Sequence, residues 1–316
     1  MIVRWGLDEL PGVLHELGIE RPFLVASPRW SSLDLPAAAR WDEIPSHRIE
    51  VPEGVDGVVA VGGGSAIDTA KAASAASGLR LVSIPTTYAG AEWTPFFGVR
   101  DPAKRIVGGG GGANLAAIVY DPKLTLDLPR EETAGTALNA LAHAAEALYH
   151  PARSAESDRV AHEAAELING SFPAVLENGR SAGARKTLLK GAARAGEALS
   201  LAGLCLGHAM AQALGGRYGL PHGAMNALCL PPALRFNAAV APKAVEDLGK
   251  SLGSDDPAHR VEELARLGGF RRLRDFGVPE EELEEVAEAT AVRAGAKANP
   301  RPASPEEIAE LLRSIY

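Results

Sequence analysis

The sequence predicts two domains of different class: an α/β domain built on a parallel sheet over residues 1–128, then an all-α domain over residues 129–316. Three observations carry this. Short apolar runs alternate with helical periodicity up to Leu128, one of those runs passes directly into Gly62-Gly63-Gly64, and no convincing strand signal follows Leu128. The length of 316 residues suits two domains at roughly 100–200 residues each. With 46% hydrophobic and 23% charged residues, the composition is that of a globular chain and excludes a disordered, collagen-like or disulfide-stapled one.

Leu7, Leu10, Val13, Leu14 and Leu17 recur at helical spacing between Gly6 and Gly18. Pro22–Ala26 (PFLVA) reads as a strand closed by Ser27-Pro28, and His47–Val51 as a weaker one. Gly57–Val61 (GVVAV) is the clearest strand, and Ala66–Ser77 after it reads as a helix. Leu79–Ile84 is the next strand, stopped by Pro85; Ala116–Tyr120 is another, ended by Asp121-Pro122. Runs that are apolar throughout, with helices between them, suit a parallel sheet covered on both faces. Gly108–Gly112 reads as a mobile loop, because glycine maximises backbone freedom. From Pro129 the pattern is helical, with Glu131 and Glu132 suiting the positive end of a helix. Ala/Leu/Glu-rich segments follow at 131–149, 155–177, 182–205, 208–214, 223–229, 241–252, 258–267, 280–293 and 305–314.

The net charge of −8 and the lack of a basic stripe speak against a nucleic-acid partner. No stretch approaches the ~18 apolar residues of a membrane span. Met1 to Gly12 carries Asp8 and Glu9 and lacks a basic-then-apolar leader. Cys205 and Cys229 both sit in apolar runs, so reduced, buried thiols and a cytoplasmic location are expected.

Gly62, Gly63, Gly64, Ser65 and Asp68 form a strand–turn–helix sequence. Glycines let backbone approach a pyrophosphate, and a helix N-terminus offers free N–H groups. Ser65 could donate to a phosphate oxygen, and Asp68 could cap the helix or orient the loop. A tight turn without a ligand has the same pattern. In the second half, Asn139 and His143 share a helix face at i, i+4. His208 begins GHAMAQALGG, and His222, between Pro221 and Gly223, lies fourteen residues later at a helix start.

The run GGGSAIDTAKA from Gly62 resembles the cofactor loop of the iron-containing alcohol dehydrogenase superfamily, whose fold is dehydroquinate synthase-like. Pro85 to Pro95 (PTTYAGAEWTP) is similar to a stretch of the maleylacetate reductases. Val119 to Pro129 (VYDPKLTLDLP) looks like the family's domain-boundary segment. The resemblance implies a dinucleotide-binding first domain, a cytoplasmic homodimer, and hydride transfer from NADH or NADPH to a small carboxylate substrate in the cleft between domains. It implies that Thr86 and Thr87 line the cofactor site, with Ser27 on its adenine side. No carboxylate follows the Pro22–Ala26 strand, and Arg29 could tolerate a 2′-phosphate. The family's crossover helix has no counterpart here, because Pro36, Pro45 and Pro52 break up the segment between Trp30 and Pro52. Thin cover over that part of the sheet is expected.

Metal-dependent members carry an aspartate and three histidines, which fall on Asn139, His143, His208 and His222. The amide of Asn139 is a weaker ligand than a carboxylate, so metal-free chemistry is expected; if a metal binds, the three histidines hold it. Gln212 stands where members often have a histidine, and it cannot shuttle a proton at neutral pH. In the implied reaction, imidazolium or neutral N–H groups at His143, His208 and His222 stabilise an enolate. Tyr88 is a further donor or an aromatic wall. Asn139, Gln212 and Arg217 face the substrate, and Lys104, Arg105 and Arg217 are candidates for its second carboxylate. Two other readings stay open: an iron- or zinc-dependent alcohol dehydrogenase, and a non-redox descendant that keeps nucleotide binding.

Overall fold

The computed structural model describes residues 1–101 and 106–316. They fall into two compact units, Met1–Leu128 and Pro129–Tyr316.

The first unit contains β1 (Ile2–Trp5), α1 (Leu10–Glu16), β2 (Pro22–Ala26), β3 (Ala39–Trp41), β4 (Gly57–Gly62), α2 (Gly64–Ser77), β5 (Arg80–Pro85), β6 (Phe97–Arg100), β7 (Ile106–Gly110) and β8 (Asn114–Tyr120). Six strands form one sheet in the order β1-β8-β5-β4-β2-β3. Every pair in it is parallel, so the carboxyl ends of β2, β4 and β5 share one edge. Side chains of a strand point alternately to its two faces. Leu24, Val59 and Val61 pack with Leu10, Val13 and Leu14 of α1 on one face; Phe23, Val58 and Ala60 pack with Ile67 and Ala70 of α2 on the other. Both faces are buried, which is why these strands carry no polar alternation.

Three expectations change. His47–Val51 forms no strand: Ala39–Trp41 takes the free edge of β2, and Ile49 and Val51 pack against the α2 face instead. Gly108–Gly112 is not simply a loop. Gly108, Gly109 and Gly110 pair antiparallel with Phe97–Val99. The pairing demands glycine, since a Cβ at Gly109 would lie 2.9 Å from the Phe97 carbonyl and one at Gly110 would lie 2.8 Å from its ring. Strand β1 carried no sequence signal, being a four-residue edge strand with a single partner. The trimmed crossover does lack an α-helix. Its cover is irregular chain on both faces: Trp30, Leu33 and Leu35 on the α1 side, Trp41, Ile44 and Val55 on the α2 side.

The second unit contains α3 (Arg130–Tyr149), α4 (Ala155–Glu177), α5 (Ala182–Leu201), α6 (Leu206–Tyr218), α7 (His222–Ala238), α8 (Pro242–Leu252), α9 (Pro257–Gly268), α10 (Leu283–Ala291), α11 (Ala294–Ala298) and α12 (Pro305–Arg313). Two differ most from expectation. The segment 182–205 stops at Leu201, and α7 runs on past residue 229 through Pro231 and Pro232. Helix α3 is buried along nearly its whole length. It meets α7 where Gly135 and Gly223 touch, a Cβ on Gly223 falling 2.3 Å from Gly135 backbone atoms. That close approach sets one turn of α3 (Asn139) beside one turn of α7 (Asn226). No single helix among the described residues is long and apolar enough to cross a membrane.

Candidate functional site

The glycine turn lies at the carboxyl edge of the sheet. Gly62 pairs with Pro85, and the Thr86 N–H donates to the Gly62 carbonyl at 3.0 Å. Gly62 has φ +150°, and a Cβ there would meet that of Ala66 at 2.6 Å. A Cβ on Gly63 would lie 2.8 Å from the Thr87 methyl, whereas one on Gly64 would make only ordinary contacts. The turn thus packs tightly on Thr87 and is open at Gly64. Helix α2 starts with no side-chain cap, and Ser65 is exposed in its first turn. These residues fit a dinucleotide pyrophosphate: uncapped N–H groups, a hydroxyl, and no side chain in the way.

Asp68 does not cap α2. Its carboxylate accepts the Gly98 N–H of β6 at 3.2 Å and lies 3.4 Å from the Lys71 ammonium, so it orients the β6–β7 ribbon. Lys71 is only 1% exposed and donates to the Phe96 carbonyl at 2.8 Å. Burial pulls its pKa below the ordinary lysine value, against the charges of Asp68 and Glu92. Glu92, also buried, accepts from the Tyr120 hydroxyl at 2.7 Å; burial raises its pKa, and the Tyr120 bond opposes this. Sequence reasoning missed this polar set. Its signal was a lysine on the apolar face of α2.

Tyr88 is fully buried in the first unit, which fits a wall. Ser27 precedes the turn Pro28–Trp30 at the end of β2. Arg29 donates to the Asp127 carbonyl at 2.9 Å and lies over the Trp30 ring. Lys104 and Arg105 lie outside the described residues.

In the second unit, α3, α6 and α7 bring three histidines together. The rings of His143 and His208 stack with centroids 4.7 Å apart and planes at 12°, and His222 tilts against His208 at 5.9 Å. His143 and His208 are buried, and neither His143 Nδ1 nor His208 Nε2 has a hydrogen-bond partner. Burial, then the neighbouring rings of His208 and His222, hold the His143 pKa well below the ordinary histidine value. An imidazolium at His143 is therefore disfavoured, and it acts as a neutral ring.

Asn139 joins this group through Asn226, which sequence reasoning missed. The Asn226 amide nitrogen donates to Asn139 Oδ1 at 2.7 Å and lies 3.0 Å from His222 Nε2. Two of the four positions that ligate metal in metal-dependent relatives of the fold thus face one amide. Asn139 also brings no negative charge. Among the described residues no three His, Cys, Asp or Glu side chains are arranged to hold a metal ion. This donor set does not fit a divalent metal.

Glu146, also missed, stands behind His208. It is wholly buried and accepts from His208 Nδ1 at 2.7 Å, the His208 N–H at 3.1 Å and the Cys205 N–H at 2.7 Å. The signal was a carboxylate in the apolar run ALAHAAEALY, on the same face as Asn139 and His143. Gln212 lies one turn beyond His208 on α6 and is half-buried. Arg217 is paired at the surface, its guanidinium held by Glu282 and Glu285 at 2.7 and 2.6 Å.

An α/β unit on a six-stranded parallel sheet with an uncapped glycine turn, followed by a helical unit that gathers Asn139 and three histidines, has the layout of a nucleotide-binding enzyme. Residues 133–316 match the Fe-containing alcohol dehydrogenase family, C-terminal, and residues 48–122 match iron-containing alcohol dehydrogenase. The chain belongs to this family of NAD(P)-dependent oxidoreductases.

Within it the chain is similar to maleylacetate reductases. It is 32% identical to that of Pseudomonas knackmussii, over 98% of this chain and 93% of the relative. It is 37% identical to that of Sphingobium indicum, over 81% and 73%. The crystal structure of maleylacetate reductase from Agrobacterium tumefaciens superposes with a TM-score of 0.87 at 27% identity, covering 100% of this chain and 95% of that one. An iron-containing alcohol dehydrogenase from Corynebacterium glutamicum superposes at 0.89 with 29% identity, covering 100% and 94%.

Proposed function

We propose that this chain is a metal-independent NAD(P)H-dependent reductase of maleylacetate or a closely related small unsaturated oxo-acid. The observation that carries this reading is the group of buried His143, buried His208 and half-buried His222, with neutral Asn139 where a carboxylate ligand is expected. Similarity to maleylacetate reductases over nearly the whole chain supports the substrate class.

The nicotinamide cofactor, when bound, supplies the hydride. Gly62, Gly63, Gly64 and Ser65 would hold its pyrophosphate at the start of α2, with Thr86 and Thr87 beside them. The absence of a carboxylate after β2 is compatible with either NADH or NADPH. In an enone, hydride adds to the carbon–carbon double bond and the electron pair moves onto the carbonyl oxygen. The buried His143 ring meets that charge with an N–H donor in a water-poor setting, where such bonds are strongest. Because His143 is held neutral, the group donates hydrogen bonds there rather than positive charge. Asn139 adds an amide at a position where a carboxylate would repel the substrate's own.

The test is oxidation of NADH and of NADPH by purified protein with maleylacetate, before and after chelation. We expect turnover that survives chelation. Turnover of simple alcohols only, and only with added iron or zinc, would overturn the reading.

A further inference from the structure

We propose that Glu146 is a positioning residue that holds His208 in one tautomer and one orientation for the reaction. The inference rests on the reading that the histidine group faces the substrate.

Glu146 is completely buried in the last turn of α3, flanked in sequence by Ala145 and Ala147. A buried carboxylate is costly unless donors satisfy it. Three do. His208 Nδ1 lies 2.7 Å from Oε2, the Cys205 N–H donates to Oε2 at 2.7 Å, and the His208 N–H donates to Oε1 at 3.1 Å. Two of these donors are backbone groups at the start of α6, where N–H groups lack helical partners. The third is the ring itself. One carboxylate therefore fixes both the backbone and the side chain of His208. Gly207 is part of the device: a Cβ there would lie 2.9 Å from Glu146 Oε1.

Both Glu146 oxygens already accept backbone N–H groups, so toward the ring Glu146 is an acceptor: Nδ1 carries the proton and Nε2 is left without one. His208 Nε2 is buried and has no partner within the protein. Held this way, His208 presents a bare nitrogen whose direction is set from behind. This is how a residue that never touches substrate controls one that does.

The experiment is nitrogen NMR of ¹⁵N-histidine-labelled protein, with the His208 signals assigned by their loss in His208→Gln. We expect His208 in the Nδ1–H form in the wild type. Glu146→Gln keeps the size but can donate to Nδ1, so the ring should switch to Nε2–H. With that switch, kcat should fall about tenfold to a hundredfold while nucleotide affinity stays unchanged. Glu146→Asp keeps a carboxylate; it should retain Nδ1–H and more activity than the Gln variant, and it carries the test if the Gln variant does not fold. His208 in the Nε2–H form in the wild type or in the Asp variant, or unchanged kcat in a folded Gln variant, overturns the assignment. A wild type inactive on every unsaturated oxo-acid overturns the functional reading instead, and the tautomer measurement still decides what Glu146 does to His208.

Discussion

The glycine turn of the first unit is made of backbone, while the histidine group of the second is made of side chains. The turn works by leaving things out: no Cβ at Gly62 or Gly63, where one would collide with Ala66 or Thr87, and no cap on α2. The histidine group works by convergence, with His143 on α3, His208 on α6 and His222 on α7 meeting through ring stacking. A backbone site is local in the chain. A side-chain site depends on helix packing, and here on two glycines, Gly135 and Gly223, that let α3 and α7 touch. The two should therefore fail differently when altered.

The largest effect should come from the side-chain site. His208→Asn should lower kcat by about two to four orders of magnitude, the usual reach of a proton-handling group, and leave nucleotide affinity in place. Steady-state kinetics beside a fluorescence titration with NADPH measures both. A matching loss of nucleotide affinity would break the contrast between the sites.

Gly63→Val is the converse. Its side chain would press on Thr87 and on the uncapped start of α2, at a cost of about 3 kcal/mol, or roughly a hundredfold in nucleotide Kd. At saturating nucleotide kcat should be nearly restored. If kcat stays low under saturation, the turn shapes the chemistry as well as the binding.

Asn139→Asp sharpens the comparison through charge. A carboxylate restores an anionic donor beside His143, and we expect divalent-metal affinity to rise about tenfold. Elemental analysis after dialysis against zinc or iron reads this directly. No gain in bound metal would show that the Asn226 contact, rather than the missing charge, decides the issue.

The remaining effect falls on stability rather than on either site, and concerns the polar set under the β6–β7 ribbon. Lys71→Met removes a buried ammonium from Asp68 and the Phe96 carbonyl, and should cost about 2 kcal/mol of stability at neutral pH. The pH signature is specific. Burial lowers the Lys71 pKa in the folded chain below its ordinary 10.5. Between those two values the unfolded chain binds a proton that the folded chain has released, so Lys71's contribution to stability rises with pH through that window. Denaturation of wild type and variant at several alkaline pH values should show the gap changing with this sign. A pH-independent gap would remove Lys71 titration from the account.

The glycine turn was readable because every constraint on it is local: a strand, three glycines and a helix in succession. The apolar runs of β2, β4, β5 and β8 were readable for the same reason, since burial on both faces leaves a continuous signal. Strand β3 and the ribbon were not. Ala39–Trp41 becomes a strand only because β2 has a free edge, and the glycines of β7 pair only because Phe97 lies across them. In the second unit, spacing put Asn139 and His143 on one helix face, and the family resemblance implied that His208 and His222 join them. Their supports stayed hidden, because Asn226 and Glu146 have meaning only once three helices are packed. Arg217 was legible only as a cation, because its two glutamate partners lie more than sixty residues away in the chain.

Chain composition and periodicity by themselves determined two units, a parallel sheet and a phosphate-type turn, and the family resemblance implied a histidine set without its carboxylate. Those features are written in residues near one another or in helical register. Only the tertiary structure decided that burial disfavours an imidazolium at His143, that Asn226 bridges Asn139 and His222, and that Glu146 stands behind His208. Burial and hydrogen-bond partnership belong to distances between helices, and no linear pattern encodes those distances.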